Sequence, residues 1–311
     1  MPPLSLAAAA LGGALLDRLL GEPRRFHPLV GFGRLADETE RALRRGAPGS
    51  AFGNRLRGLA AWALIVVPPV ILAKILCSES PIHGGVDAVL LWFALGGRAL
   101  GEHGRAIAAP LAAGDLPAAR AAVGCIVSRE TSELDEEGVA KAAVESVLEN
   151  GNDAVFGALF WFFIAGGAGA LLYRLANTLD AMWGYRDARR VYFGWAAARI
   201  DDVLNFVPAR LTALTYALLG RTGVAIACWR TQAATWSSPN AGPVMASGAG
   251  ALGVSLGGPA IYHGAEEWRP PLGAGDAPTA AHVVRAVALV EHGQWLWLAL
   301  CGLAATGVAY A

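Results

Sequence analysis

A chain of 311 residues with 55% hydrophobic and only 16% charged residues lies outside the soluble range, where about a quarter of residues carry charge. With a mean hydropathy of +0.43, it reads as an all-α, polytopic integral membrane protein. Its 25 Lys and Arg balance its 25 Asp and Glu, so no basic field points to nucleic acid. Lys74 and Lys141 are the only lysines. Every other basic side chain that holds its charge at any pH is an arginine, the residue that grips phosphates and carboxylates bidentately. Cys77, Cys125, Cys228 and Cys301 are far apart and show no C-x-x-C spacing, which excludes a zinc motif or a disulfide framework.

In chain order, Leu4–Leu20 is apolar as far as Asp17 and long enough for a short span. No basic segment precedes it, so it reads as a retained span rather than a cleaved signal. A polar turn (Asp17–Gly31) and an Arg-rich piece (Glu38–Arg57) follow. Leu56–Leu76 is the second span, with Pro68 and Pro69 expected to kink it. Val86–Leu100 is the third. Arginines crowd residues 18–57 and are absent from 77–85, so the first loop and the region after residue 100 are expected in the cytoplasm.

Asp115–Ala122 predicts a short helix. Leu134–Glu149 predicts a longer one, capped by Thr131 or Ser132 and stopped by Gly151. Ala154–Tyr173 is strongly apolar but interrupted by Gly166, Gly167 and Gly169. A single crossing there would place the polar clusters before and after it on opposite sides of the membrane. A shared site therefore demands a hairpin or re-entrant segment. Val203–Leu219 is apolar, Ser237–Pro243 is a tight turn, and Ala246–Ala260 is Gly-rich. Ala265–Pro278 reads as a polar loop, Thr279–His292 as an amphipathic helix, and Trp295–Tyr310 as a last span. These elements are expected to form one membrane-embedded domain over residues 1–311, with polar segments at 17–31, 128–153, 177–210 and 237–243.

The polar segments carry the chemistry. Mg²⁺ binds through one or two carboxylates together with substrate phosphates. Glu145, Glu149 and Asp153 can supply oxygens from the end of one helix. Asn177 and Asp180 are spaced i, i+3, and Asp201, Asp202 and Asn205 share a further turn. Arg129, Arg174, Arg186, Arg199 and Arg210 suit phosphoryl oxygens. The bland alternative is a network of ion pairs that fixes helix packing, but acids inside a membrane are costly and mark function. No G-x-x-x-x-G-K-[ST] occurs, which excludes an ATP site of the P-loop type. No G-x-S-x-G or H-E-x-x-H occurs either. The histidines are scattered, and only His27, beside Pro28 in the first polar turn, stands near other motif residues.

The motifs in order are D-x-x-x-G-E-P with H-P at Asp17–Pro28, S-R-E-T-S-x-L-D at Ser128–Asp135 and E-S-V-x-E-N-x-x-D at Glu145–Asp153. N-T-L-D-A-M-x-G-Y at Asn177–Tyr185 and A-R-I-D-D-V-L-N-F-V-P-A-R at Ala198–Arg210 follow. S-P-N-A-G at Ser238–Gly242 and L-G-V-x-L-G-G at Leu252–Gly258 complete the series. In this order they resemble the CobD/CbiB family, the adenosylcobinamide-phosphate synthases of cobalamin biosynthesis, over nearly the full length. Glu22 stands where the family more often has Asp, and Arg186 where Lys is common; the loop Ala265–Pro278 matches only loosely.

The resemblance implies a multi-pass enzyme of the inner cell membrane with a cytoplasmic active site. It would join adenosylcobyric acid to aminopropanol phosphate, or to threonine phosphate, with ATP as co-substrate and Mg²⁺ as cofactor. Membrane lipid and other late cobalamin-assembly enzymes are the expected partners. Glu145, Glu149, Asp180, Asp201 and Asp202 are the expected catalytic acids, and together with Asp153 they would hold metal. His27, Ser128, Arg129, Asn150, Asn177, Arg199, Asn205, Arg210 and Asn240 are the expected substrate and phosphate contacts. Two other readings stay open. N-x-x-D and D-D-x-x-N helices also suit an intramembrane Mg²⁺-dependent prenyltransferase. A transporter would show paired broken spans in related halves, and the chain has no internal repeat to match.

Overall fold

The structure, a computed structural model, describes residues 2–23, 28–44, 50–79, 84–184, 190–262 and 264–310. His27 and Arg186 lie outside the described residues. Among the described residues the regular elements are helices and one two-stranded antiparallel hairpin, Ser255–Tyr262 with Ala265–Gly273. Four helices among the described residues are long and apolar enough to cross a membrane: Pro3–Leu20, Ala51–Glu79, Glu136–Trp183 and Ala280–Tyr310. Leu19, Leu64, Ile71 and Leu72 on the first two are exposed, as a helix facing lipid requires and one facing water does not. The chain forms two compact units.

The first unit comprises Met1–Gly96, Gly157–Asn205 and Leu300–Ala311. Its core joins Ile65 and Val66 to Leu175, Leu179, Trp183 and Phe193; the Trp183 and Phe193 rings meet edge to face at 5.2 Å. The helix expected at Val86–Leu100 ends at Ala94, and a separate helix begins at Gly97. At ten residues the first piece is only about 15 Å long, half of what a crossing needs. It is a packing element between Pro3–Leu20 and Gly157–Trp183, not a span.

Gly157–Trp183 doubles back on itself. Ala165 (φ −136°, ψ 16°) and Gly166 (φ 66°, ψ −157°) leave helical geometry, and a Cβ on Gly157 would overlap the Tyr173 ring. In an unbroken helix those positions would stand about 24 Å apart. The turn has a sequence cause. Only glycine takes the positive φ at 166 cheaply, and the buried Asp87 carboxylate accepts the Gly167 N–H at 2.8 Å. Asp87 thus caps the second arm of the hairpin from a neighbouring helix. The first arm, 157–164, runs on from the helix Glu136–Gly151 through the π turn. The expected hairpin is present, and the segment is not a single crossing.

The second unit comprises Gly97–Phe156 and Phe206–Ala299. Its centre is Ala241–Leu252, every residue of which is buried; small side chains allow this close approach. The predicted 134–149 helix spans Glu136–Gly151 and is capped by Asp135, whose Oδ1 accepts the Gly138 N–H at 2.8 Å. Thr131 and Ser132 are not the cap. Nor does Gly151 stop the helix, which widens into a π turn at Asn152–Phe156. Side chains from elsewhere support that widening. The Tyr216 hydroxyl donates to the Leu148 carbonyl at 3.0 Å, and Thr212 donates to Asn152 Oδ1 at 3.0 Å. The polar loop expected at Ala265–Pro278 is instead mostly the second strand of the hairpin.

Candidate active site

In the second unit the loop Ser128–Thr131 is tied to the β-hairpin. Glu130 N–H donates to the Ile261 carbonyl at 2.9 Å, and Gly264 N–H donates to Glu130 Oε1 at 2.7 Å. This brings Arg129 onto Glu145 of the helix Glu136–Gly151. Arg269 of the second strand reaches the same carboxylate oxygen at 2.6 Å. The third donor is the Gly257 N–H, 2.9 Å from Glu145 Oε1. Gly257 (φ 81°) sits in a β-bulge between Leu256 and Gly258. The extra residue turns this amide off the ladder and toward the helix. The side chains of Arg129, Glu145 and Arg269 are 8%, 4% and 8% exposed, so one carboxylate bridges two guanidinium groups away from water, with one positive charge in excess.

A cavity of about 450 Å³ opens beside this cluster. Ser128, Arg129, Glu145, Glu149 and Asn150 line it, bringing together residues from two separate sequence motifs. Trp236, Tyr262, Trp268 and Arg269 line it too. None of these four was expected from sequence. Two of them, Trp268 and Arg269, belong to the strand that read as a loop, where the match to the family pattern was loose. Their only early signal was chemical: aromatic residues and an arginine in an otherwise acidic and Pro-rich stretch. Arg269 is 7% exposed, and its Nε and Nη2 are buried without a hydrogen-bond partner. Its guanidinium lies 5.8 Å from the centre of the Trp236 ring, a cation–π distance.

Other expected residues serve locally. Arg210 donates to Asn240 Oδ1 at 2.9 Å and to the Pro239 carbonyl at 3.2 Å. It thereby holds the S-P-N-A-G turn and does not line the cavity. Asn150 donates to the Ser146 carbonyl at 2.8 Å. Asp153 Oδ1 accepts from Asn152 Nδ2 at 2.9 Å within the π turn.

The first unit carries a second polar cluster. Asp201 accepts from Asn177 at 3.3 Å and from Asn205 at 3.0 Å, and Tyr173 donates to Asn205 Oδ1 at 2.8 Å. Asp201, Asn205 and Tyr173 are all buried. Burial pushes the Asp201 carboxyl up to about 6, against the opposing pull of the two amide donors. Arg199 and Asp202 pair at 3.1 Å on the helix surface. Asp180 is half-buried one turn beyond Asn177. Glu22 of the G-E-P motif meets Arg174 at 3.5 Å. Among the described residues, no three His, Cys, Asp or Glu side chains converge closely enough to hold a metal ion. Glu145 has its oxygens engaged by two arginines and an amide. The described acids therefore do not by themselves make a closed Mg²⁺ site.

Comparison with known proteins places these motifs in a lineage. The sequence profile described as "CobD/Cbib protein" matches residues 10–290. The chain is 61% identical to "Cobalamin biosynthesis protein CobD" of Stutzerimonas stutzeri over 295 residues, covering 95% of this chain and 96% of that protein. It is 60% identical to the protein of that name in Chromobacterium violaceum, covering 92% of each. The Mycobacterium tuberculosis counterpart is 40% identical, with 91% of this chain and 90% of that protein aligned. No solved structure matches the chain.

Proposed function

The chain belongs to the CobD/CbiB family, and from that membership we propose that it is a cobalamin biosynthesis enzyme of the inner membrane with its active site on the cytoplasmic side. The reaction is amide formation between a propionate of adenosylcobyric acid and the amine of aminopropanol phosphate, or of threonine phosphate, at the expense of ATP. One observation supports it beyond the family: the S-R-E-T and E-S-V-x-E-N motifs line one cavity together with a buried, incompletely bonded Arg269.

A carboxylate is a poor electrophile, so it must first take a phosphoryl group from ATP, forming an acyl phosphate and ADP. The amine then attacks the acyl carbon, the C–O bond to phosphate breaks, and the nitrogen loses a proton. Every reactant carries an anionic group. Arginines on rigid elements bring such groups together and stabilise the charge that develops as phosphate leaves. Mg²⁺, bound with the nucleotide, would further neutralise the phosphates.

Purified protein should release phosphate from ATP only when both the corrinoid acid and the amine are present, and EDTA should abolish that release. Full activity of Asp180→Ala and Asp201→Ala would remove those two residues from the metal set. Consumption of a labelled prenyl diphosphate instead would favour the prenyltransferase reading.

A further inference from the structure

We propose that Arg55, with the rings of Tyr192 and Trp195 against it, is the headgroup site for one anionic phospholipid, whose acyl chains lie along the exposed face of the helix Ala51–Glu79. This lipid site goes beyond the amide-ligase reading and does not depend on it.

All these residues belong to the first unit. A Cβ on Gly58 would overlap the Phe193 carbonyl oxygen, so the helix Ala51–Glu79 runs tight against the turn that precedes Trp195. Only a residue without a side chain allows that approach. It brings Arg55, three residues before Gly58, to the two aromatics on either side of Phe193 and Gly194. The guanidinium carbon lies 5.8 Å from the centre of the Tyr192 ring and 5.1 Å from that of Trp195. Both are cation–π distances. Such rings engage the flat face of a guanidinium and leave its N–H edge open. Among the described residues, that edge makes no hydrogen bond and no ion pair. The rings hold the side chain in place beforehand, so little entropy is lost on binding.

The neighbouring arginines differ. Arg57 donates to Asn54 Oδ1 at 3.3 Å, Arg199 pairs with Asp202 at 3.1 Å, and Arg44 pairs with Glu40 at 3.1 Å. Arg55 carries a positive charge that none of these acceptors meets. Phe52, Leu56, Leu59, Val67 and Ile71 are exposed along the same helix, and Phe52, Arg55, Leu56 and Leu59 are spaced to share one face. No charged residue stands between Arg57 and Lys74, a length of about 26 Å and close to the hydrocarbon thickness of about 30 Å. Arg55 thus stands at the membrane–water boundary, where Trp and Tyr also collect. From Leu56 to Val67 the exposed stripe is about 16 Å long, the depth of one leaflet. At that boundary the abundant anion is a phosphodiester, and the guanidinium edge takes two of its oxygens at once. A free phosphate would leave the stripe bare. A diacylglycerol would leave Arg55 unmatched, and a zwitterionic headgroup brings a cation of its own. A phospholipid with net negative charge satisfies both the stripe and the arginine.

Native mass spectrometry of the full chain, released from detergent, tests this with dioleoylphosphatidylglycerol, dioleoylphosphatidylcholine and dioleoylglycerol as probes. The wild-type chain is expected to retain phosphatidylglycerol about fivefold more than either other lipid, the discrimination that one basic residue near a membrane surface supplies. Arg55→Gln should remove most of that preference without lowering the unfolding temperature. Trp195→Phe, which keeps a ring, should retain it, and so should Arg230→Gln, an exposed position in the second unit. No preference in the wild type, or an undiminished one in Arg55→Gln, would overturn the site. An equal loss in Arg230→Gln would also overturn it, because it marks attraction to the chain as a whole. Should Arg55→Gln fail to fold, the wild-type chain in nanodiscs can be treated with phenylglyoxal and its peptides weighed. Protection of Arg55 in phosphatidylglycerol relative to phosphatidylcholine supports the site, and equal labelling opposes it. Displacement of phosphatidylglycerol by excess inorganic phosphate would assign Arg55 to a free anion. A dimer that replaces the lipid adduct and is lost in Arg55→Gln would make the patch an interface between copies. Either result overturns the proposal.

Discussion

Glu145→Gln should be the most damaging single-atom change in the second unit. The wild-type carboxylate takes one guanidinium at 2.6 Å and a second in direct contact, with all three side chains more than nine-tenths buried. At an effective dielectric of about 20, each pair at near-contact distance is worth roughly 4 kcal/mol before desolvation. Glutamine keeps the shape and loses the charge, leaving two buried cations facing one another. Removing one partner of a buried pair costs about 3–5 kcal/mol, against a total stability of about 5–15 kcal/mol for a typical domain. Glu137→Gln is the control. Its i, i+4 partner Lys141 lies at 3.2 Å, but Glu137 is 51% exposed, and such pairs contribute a few tenths of a kcal/mol. Tryptophan fluorescence during thermal unfolding in detergent reads both. Glu145→Met combined with Arg269→Met should recover part of the loss, because it strands one charge instead of two. If Glu145→Gln unfolds no earlier than Glu137→Gln, the cluster is not the electrostatic anchor described here.

Three further outcomes follow from the geometry. Gly166→Ala should destabilise the first unit by about 1–3 kcal/mol, because φ 66° with ψ −157° is a region that essentially only glycine enters and the new Cβ would fall 2.6 Å from Asp87 Oδ1, whereas Gly223→Ala meets nothing within 4 Å; unfolding midpoints compare them. Asp87→Ala should cost about 0.5–2 kcal/mol as a lost cap, whereas Asp87→Asn keeps an acceptor for Gly167 N–H and should retain most of it. Asp201 titrates at about 6 in the fold and near 3.8 when unfolded, so the folded chain holds that proton more tightly. Its contribution is therefore complete below about pH 4 and is lost as pH rises through 6, on the order of 2–3 kcal/mol. Asp201→Asn should flatten that part of the stability–pH curve.

Much of this architecture was legible in the residues. Runs such as Leu4–Leu20 and Leu56–Leu76 are long and apolar enough to be helices in any context, and they are. The Gly166-Gly167-x-Gly169 break announced the hairpin, since glycine is needed where the backbone turns left-handed. Asp87 was not legible, because a lone acid among apolar residues gives no hint that it caps a helix 80 residues later. For the same reason Val86–Leu100 looked like one span: composition does not show that Leu95 and Gly96 break it. The site was half-readable. Ser128, Arg129, Glu145, Glu149 and Asn150 stood out as charge in a greasy chain. Arg269 and Trp268 did not, because the β-hairpin alternation is interrupted by Pro270, Pro271 and a bulge. Arg210 and Asn240, expected as ligand contacts, are hydrogen-bonded to each other, a pairing that residue type does not reveal.

The central claim is tested most directly by weighing the corrinoid after the purified chain is incubated with adenosylcobyric acid, aminopropanol phosphate, ATP and Mg²⁺. The account predicts a mass gain equal to the amine donor less one water, dependent on ATP. An unchanged corrinoid mass, with folded protein and all four components present throughout, would contradict it.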